Sequence, residues 1–264
     1  MVGSFLNVVI YRLPIMMENA EKAYAKALLE KSDVADGEDT RFNLCYPPSA
    51  CPRCGHRIRF WQNIPVISYL LQRGKCVNCK TSVSIRYLLV EILTAALSFL
   101  VAIHFHELWQ IIFALLFTWA LVALVFIDAE HQLLPDVITL PLMWLGILAG
   151  VLGIFVPLDI AVIGAMAGYL SLWSVYWLFK LITGREGMGY GDFKLLAALC
   201  AFQGAQAIPM ILLFAAVCGL IYAAIVRIGK GKPFAFGPFL ALAGWISFMY
   251  GNELGAMSGL FGMY

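Results

Sequence analysis

What most constrains this chain is a series of long apolar runs: roughly Leu88–Phe105, Leu108–Ile127, Val137–Val156, Ile160–Ile182, Phe193–Phe202, Ala207–Val226 and Phe234–Tyr250. A helix needs about 20 residues, with a range of about 17–25, to cross the hydrocarbon of a bilayer. Most of these runs meet that length, and Phe193–Phe202 reads as a half-length or tilted helix. Apolar residues make up 62 % of the 264 positions and charged residues 13 %, against roughly 25 % charged in ordinary globular domains. Mean hydropathy is +0.84. A soluble fold could not hide that much apolar surface, and disordered chains are polar and charge-rich. The formal net charge of +2 is too small for a nucleic-acid partner. The chain reads as an all-α polytopic membrane protein of about eight transmembrane helices.

Lys and Arg set the orientation. Twelve of the eighteen lie between Arg12 and Arg86. With Pro14–Arg86 placed in the cytoplasm, the next inside segments are Asp128–Asp136, Lys180–Asp192 and Arg227–Lys232. The outside pieces are then His104–Glu107, Pro157–Asp159, Gln203–Gln206 and the tail from Gly251, none with a Lys or Arg. Three regions follow: 1–13, a partial first transmembrane helix; 14–86, a cytoplasmic insertion; and 87–264, a helical bundle. Met1–Leu13 lacks the basic n-region of a signal peptide and is shorter than a span.

Four of the seven cysteines form Cys51-Pro-Arg-Cys54 and Cys76-Val-Asn-Cys79. Paired C-x2-C at this separation reads as a tetrahedral four-cysteine zinc site, structural because four protein ligands leave no position open for water. Two disulfides or a redox motif are the alternatives. The first fits poorly with a reducing compartment, and the second lacks a thioredoxin-like pattern. Cys45 reads as an ordinary free thiol, Cys200 and Cys218 as small core residues.

Ionisable groups in or beside membrane spans are functional candidates. Asp128 follows Leu121–Ile127, and Asp192 closes Gly189-Tyr190-Gly191-Asp192; the charge pattern brings both to the inner edge of the bilayer. Two carboxylates that meet can share a proton, hold a water and hydrolyse an amide without a nucleophilic side chain. Asp192 also reads as a plain N-cap. Asp128 stands at the unfavourable end of its helix dipole, which no structural role asks for. On that contrast Asp192 is expected to be the base and Asp128 the acid. Asp136 reads as an N-cap, Lys194 as a charge beside Asp192 or an interfacial anchor, and His131 as a solvated loop residue. Glu91, one turn inside its span, is either a substrate or cofactor contact or a snorkelling acid. The tryptophans mostly fall toward span ends, as interface belts do. The glycines of Gly187-Met188-Gly189-Tyr190-Gly191 leave room for a substrate backbone.

Taken in order, these pieces resemble the type IV prepilin peptidases, or prepilin leader peptidase/N-methyltransferases, GxGD-type aspartyl proteases of bacterial inner membranes. The matching segments are Gly3–Pro14, the two C-x2-C pairs around Asn63-Ile64-Pro65, Gly74-Lys75-Cys76, Arg86–Glu91, Ile127–Asp136, Gly187–Lys194 and Phe236-Gly237-Pro238. Leu88 stands where family members commonly have Pro. The resemblance implies that Asp128 and Asp192 are catalytic and that Cys51, Cys54, Cys76 and Cys79 hold zinc. It implies cleavage of the basic leader of prepilins and type II pseudopilins after a glycine, on the cytoplasmic side. It further implies N-methylation of the new N-terminal residue, usually phenylalanine, with S-adenosylmethionine as donor. No G-x-G-x-x-G opens a strand–turn–helix here, so a Rossmann methyltransferase domain is not expected, and no residue can be named for the methyl donor. The rival readings are a peptidase without methylation, a proton- or cation-coupled transporter using the two aspartates, and a non-catalytic scaffold.

Overall fold

The computed structural model describes residues 1–29, 42–51, 53–58, 66–72, 74–185, 187–226 and 234–258. Asn63-Ile64-Pro65 and the inner segment Arg227–Lys232 lie outside the described residues. The described residues form nine α-helices: α1 Val2–Leu29, α2 Ile67–Leu71, α3 Ile85–His104, α4 Leu108–His131, α5 Asp136–Val151, α6 Leu158–Thr183, α7 Tyr190–Gln203, α8 Ile208–Val226 and α9 Gly237–Ser258. Leaving aside the five-residue α2, eight helices remain, the number expected, with α7 the short one. Among the described residues, four stretches are long and apolar enough to cross a membrane: α3, α4, α6 and Ala205–Val226. The chain divides into two compact units, Met1–Leu97 and Ser98–Tyr264.

In the first unit, α1 does not stop where the apolar residues do. It runs on through Pro14 to Leu29, although proline removes one backbone hydrogen bond there. The added turns are exposed and carry a Glu18–Lys22 pair at i,i+4, the spacing at which opposite charges support a helix. Apolar residues continue past Pro14 to Met17, and the helix runs on beyond them through an exposed, charged stretch that begins at Glu18. Arg12, 7 % exposed, donates to the backbone carbonyls of Asn43 at 2.9 Å and Pro47 at 2.6 Å. It thereby ties the chain after the insertion's first part to α1.

Glu91 has partners within the protein itself. Its Oε1 accepts from Ser4 Oγ at 2.8 Å and its Oε2 from the Val66 backbone N–H at 2.8 Å. Gly3 lets α1 approach, since a Cβ there would stand 2.9 Å from Glu91 Cα. The acid is an internal staple of the first unit.

In the second unit α7 is the hub. Every residue from Leu195 to Phe202 is buried, and α5, α6 and α9 surround it. At about 1.5 Å per residue its 14 residues rise only about 21 Å, less than the ~30 Å of hydrocarbon. Its neighbours fit closely because they present glycine. A Cβ on Gly168 of α6 would meet Leu196 O at 2.9 Å, and one on Gly146 of α5 would meet Ala201 Cβ at 2.7 Å. Outward faces stay apolar: Leu181 is 77 % exposed, Leu220 71 % and Ile225 74 %. One end is closed by Phe105, Phe117, Phe155, Phe202 and Phe248, with neighbouring ring centroids 4.7–6.0 Å apart. Trp245 departs from the belt pattern: it is buried, and its Nε1 donates to Thr118 Oγ1 at 3.0 Å. The opposite end holds the aspartates.

Candidate active site and metal centre

The metal centre belongs to the first unit. The thiols of Cys51, Cys54, Cys76 and Cys79 lie within 4.8 Å of one another, with Sγ–Sγ separations of 3.7 Å for Cys51–Cys79 and 4.0 Å for Cys54–Cys76. Zn–S bonds of about 2.3 Å in a tetrahedron place sulfurs about 3.8 Å apart, so the four thiols fit that ion. The local fold is one knuckle used twice. In the first, Gly55 N donates to Cys51 O, Cys51 N to His56 O and Ile58 N to Ser49 O; in the second, Lys80 N donates to Cys76 O, Cys76 N to Thr81 O and Val83 N to Gly74 O. The corner residue has a positive φ in both, +68° at Gly55 and +58° at Lys80. Glycine takes that conformation freely, and lysine holds it within the same hydrogen-bonded frame. Hydrogen bonding to the Thr81 hydroxyl, 3.2 Å from Cys79 Sγ, and to the Thr81 backbone holds the Cys79 thiol well below its ordinary range, at about 6. A thiolate is the form that binds a metal.

In the second unit, Asp128 and Asp192 are 5 % and 7 % exposed, and they lie close enough for their charges to repel. Asp128 sits in the last turn of α4, whose end is closed by Gln132 in the left-handed conformation (φ 53°) donating its N–H to Asp128 O at 2.8 Å. Asp192 is the third residue of α7. The N-cap is Gly189, not the aspartate, and the Gly189 backbone N–H points back at the Asp192 carboxyl. An acid at this position is favoured by the helix dipole.

The expected contrast between the two acids is smaller than one helix apiece would suggest. The start of α9 meets Asp128, and the Gly237 backbone N–H is directed at its carboxyl. Asp128 therefore stands at the unfavourable end of α4 and the favourable end of α9 together. Its Oδ2 makes no full hydrogen bond. Leu134, in the link between α4 and α5, is wedged among these parts. Its Cβ lies 2.8 Å from where a Cβ on Gly191 would be, and its Cδ1 3.1 Å from one on Gly237. No local sequence signal distinguishes Leu134 from its neighbours.

Two other residues take different places from those expected. Asp136 is the first residue of α5, after the N-cap Pro135. Its carboxylate accepts two hydrogen bonds from Lys194 Nζ, at 2.8 and 2.6 Å, so Lys194 faces Asp136. Beside Asp192, Tyr190 packs on Tyr176 and Phe193 with centroids 5.4 Å away in each case. His131 is exposed. Cys200 is buried and Cys45 exposed.

Comparison with known proteins gives this geometry a family. Residues 1–105 match the bacterial peptidase A24 N-terminal domain, and residues 115–224 match the type IV leader peptidase family. The prepilin leader peptidase/N-methyltransferase of Dichelobacter nodosus is 62 % identical over 263 residues, covering 99 % of this chain and 92 % of the relative. That of Pseudomonas aeruginosa is 53 % identical, covering 96 % and 88 %. That of Neisseria gonorrhoeae is 51 % identical, covering 94 % and 86 %. No solved structure matches this chain.

Proposed function

This chain belongs to the type IV leader peptidase family, and on that footing we propose that it is a membrane aspartyl endopeptidase acting on type IV prepilins and type II pseudopilins. It removes the leader and N-methylates the new N-terminal residue. The observation that carries the peptidase reading is the pair Asp128 and Asp192, buried together at one end of a helical bundle with no nucleophilic side chain needed. Between two such carboxyls a water can be activated by one and the leaving amine protonated by the other. Asp192, faced by the Gly189 amide, takes the proton from water. Asp128, whose buried Oδ2 makes no full hydrogen bond, gives a proton to the scissile amide.

Lys180, Arg185 and Lys194 fall at the aspartate end of α6 and α7, and the rule that places Lys and Arg inside supports a cytoplasmic site in a bacterial inner membrane. A pilin's apolar helix then lies in the bilayer against the bundle, with its basic leader in the cytoplasm. Residues 14–86 form the cytoplasmic insertion, whose four cysteines hold a structural zinc. S-adenosylmethionine supplies the methyl group.

The test is wild-type enzyme in liposomes with a prepilin and S-adenosylmethionine, followed by mass spectrometry of the product. The expected product is a leader-less, singly methylated pilin. A cleaved but unmethylated product would reduce the proposal to a peptidase, and an intact prepilin would overturn it.

A further inference from the structure

The link between α4 and α5 is only four residues long, Gln132–Pro135, and it joins the helix bearing Asp128 to one packed on the helix bearing Asp192. It is held at three points. Gln132 N–H bonds to Asp128 O, Leu134 fills the space left by Gly191 and Gly237, and just beyond the link Asp136 receives both hydrogen bonds from Lys194. The third point is unusual in kind. It is a charge pair with side chains 28 % and 52 % exposed, and a pair so exposed contributes little to stability. Its geometry is nevertheless well defined: one ammonium on two carboxylate oxygens, joining the first residue of α5 to a residue two positions after Asp192.

We propose that Asp136 and Lys194 are positioning residues, a latch that seats the α4–α5 link on α7 and thereby sets the separation of the Asp128 and Asp192 carboxyls. Asp128 is anchored from the link side through Gln132, and Asp192 lies in the turn of α7 that Lys194 extends. Releasing the latch lets the link shift against α7, which changes the distance between the carboxyls more than it changes the packed core of α7. Misplacements of about 1 Å cost a reaction on the order of 100-fold. The inference rests on the peptidase reading above. A wild-type enzyme that fails to cleave removes that reading, whereas a wild type that cleaves leaves the latch to be judged on its own variants.

The experiment measures kcat and KM for prepilin cleavage by full-length protein in liposomes. The variants are D136N, K194M, K194R, D136K, K194D and the exchanged pair D136K/K194D, with a thermal midpoint for each. The latch predicts that D136N and K194M each lower kcat about tenfold, with KM within about twofold of wild type and little change in midpoint. K194R stays near wild type, the single reversals are slower than the neutral variants, and the exchanged pair recovers to within about threefold of wild type. Wild-type kcat in D136N with a slow K194M would overturn the proposal, because Lys194 would then act on Asp192 by its own charge. An exchanged pair no faster than the single reversals, a loss confined to KM, or midpoints that fall in step with kcat would overturn it as well.

Discussion

A Cβ placed on Gly237 would stand 2.6 Å from Asp128 Oδ2. The first residue of α9 and a catalytic candidate of α4 therefore share space that only glycine leaves free. In Gly237→Ala either the carboxyl or the start of α9 has to move, and the Gly237 N–H moves with it. The expected result is a loss of prepilin cleavage of about 100-fold with zinc content unchanged, read from initial rates and metal analysis. Wild-type rates in this variant would show that α9 does not position Asp128.

Gly189 and Gly191 flank Tyr190 but differ in surroundings. A Cβ on Gly191 would meet Leu134 Cβ at 2.8 Å, whereas one on Gly189 would meet nothing nearer than Gly191 N at 4.0 Å. Gly189→Ala is therefore expected to keep the wild-type thermal midpoint and to lose about tenfold in cleavage, since the open space serves the substrate's backbone. Gly191→Ala is expected to lower both midpoint and rate. Equal effects of the two substitutions on the midpoint would contradict this division.

Much of this was legible in the residues. Apolar length and the placement of Lys and Arg located the helices, because those signals are local and repeat along each segment. The spacing of Cys51, Cys54, Cys76 and Cys79 announced convergence because each pair is one turn, and the turns prove to be the same knuckle. The residues that surround the aspartates were harder to read. Lys194 and Asp136 are 58 positions apart, and nothing near either one names the other. In the first unit, the partners of Glu91 are equally hidden in the sequence, since Ser4 lies 87 positions away and Val66 25. Leu134 is ordinary in sequence, and its role comes from two glycines on other elements. The helix-dipole argument for Asp128 considered α4 alone, whereas the start of α9, far away in sequence, also meets its carboxyl.

At the metal centre, replacing one cysteine should remove the ion, since each supplies a quarter of a closed ligand set. Cys54→Ser and Cys76→Ser are expected to lose bound zinc and to expose the two knuckles to proteolysis. Chelator treatment of wild type should reproduce that sensitivity, and added zinc should reverse it. Zinc retained at the wild-type level in both variants would contradict the assignment of all four cysteines to one ion.

Close packing around α7 yields a stability prediction. A Cβ on Gly164 would collide with the Cys200 carbonyl oxygen and lie 2.9 Å from Gly204 Cα, both backbone atoms of the α7 end. Gly164→Ala should destabilise the second unit by about 1–3 kcal/mol through overpacking, seen as a lower midpoint for loss of helical signal. A midpoint equal to wild type would mean that α6 and α7 pack less closely than this.

In the proposed mechanism Asp128 and Asp192 perform the hydrolysis together. The most direct measurement compares prepilin cleavage by wild type, Asp128→Asn and Asp192→Asn, at matched zinc content and thermal midpoint, by mass spectrometry of the pilin product. Each variant is expected to lose about 100- to 10,000-fold while still capturing prepilin in the bilayer. Cleavage at the wild-type rate in either variant would contradict it.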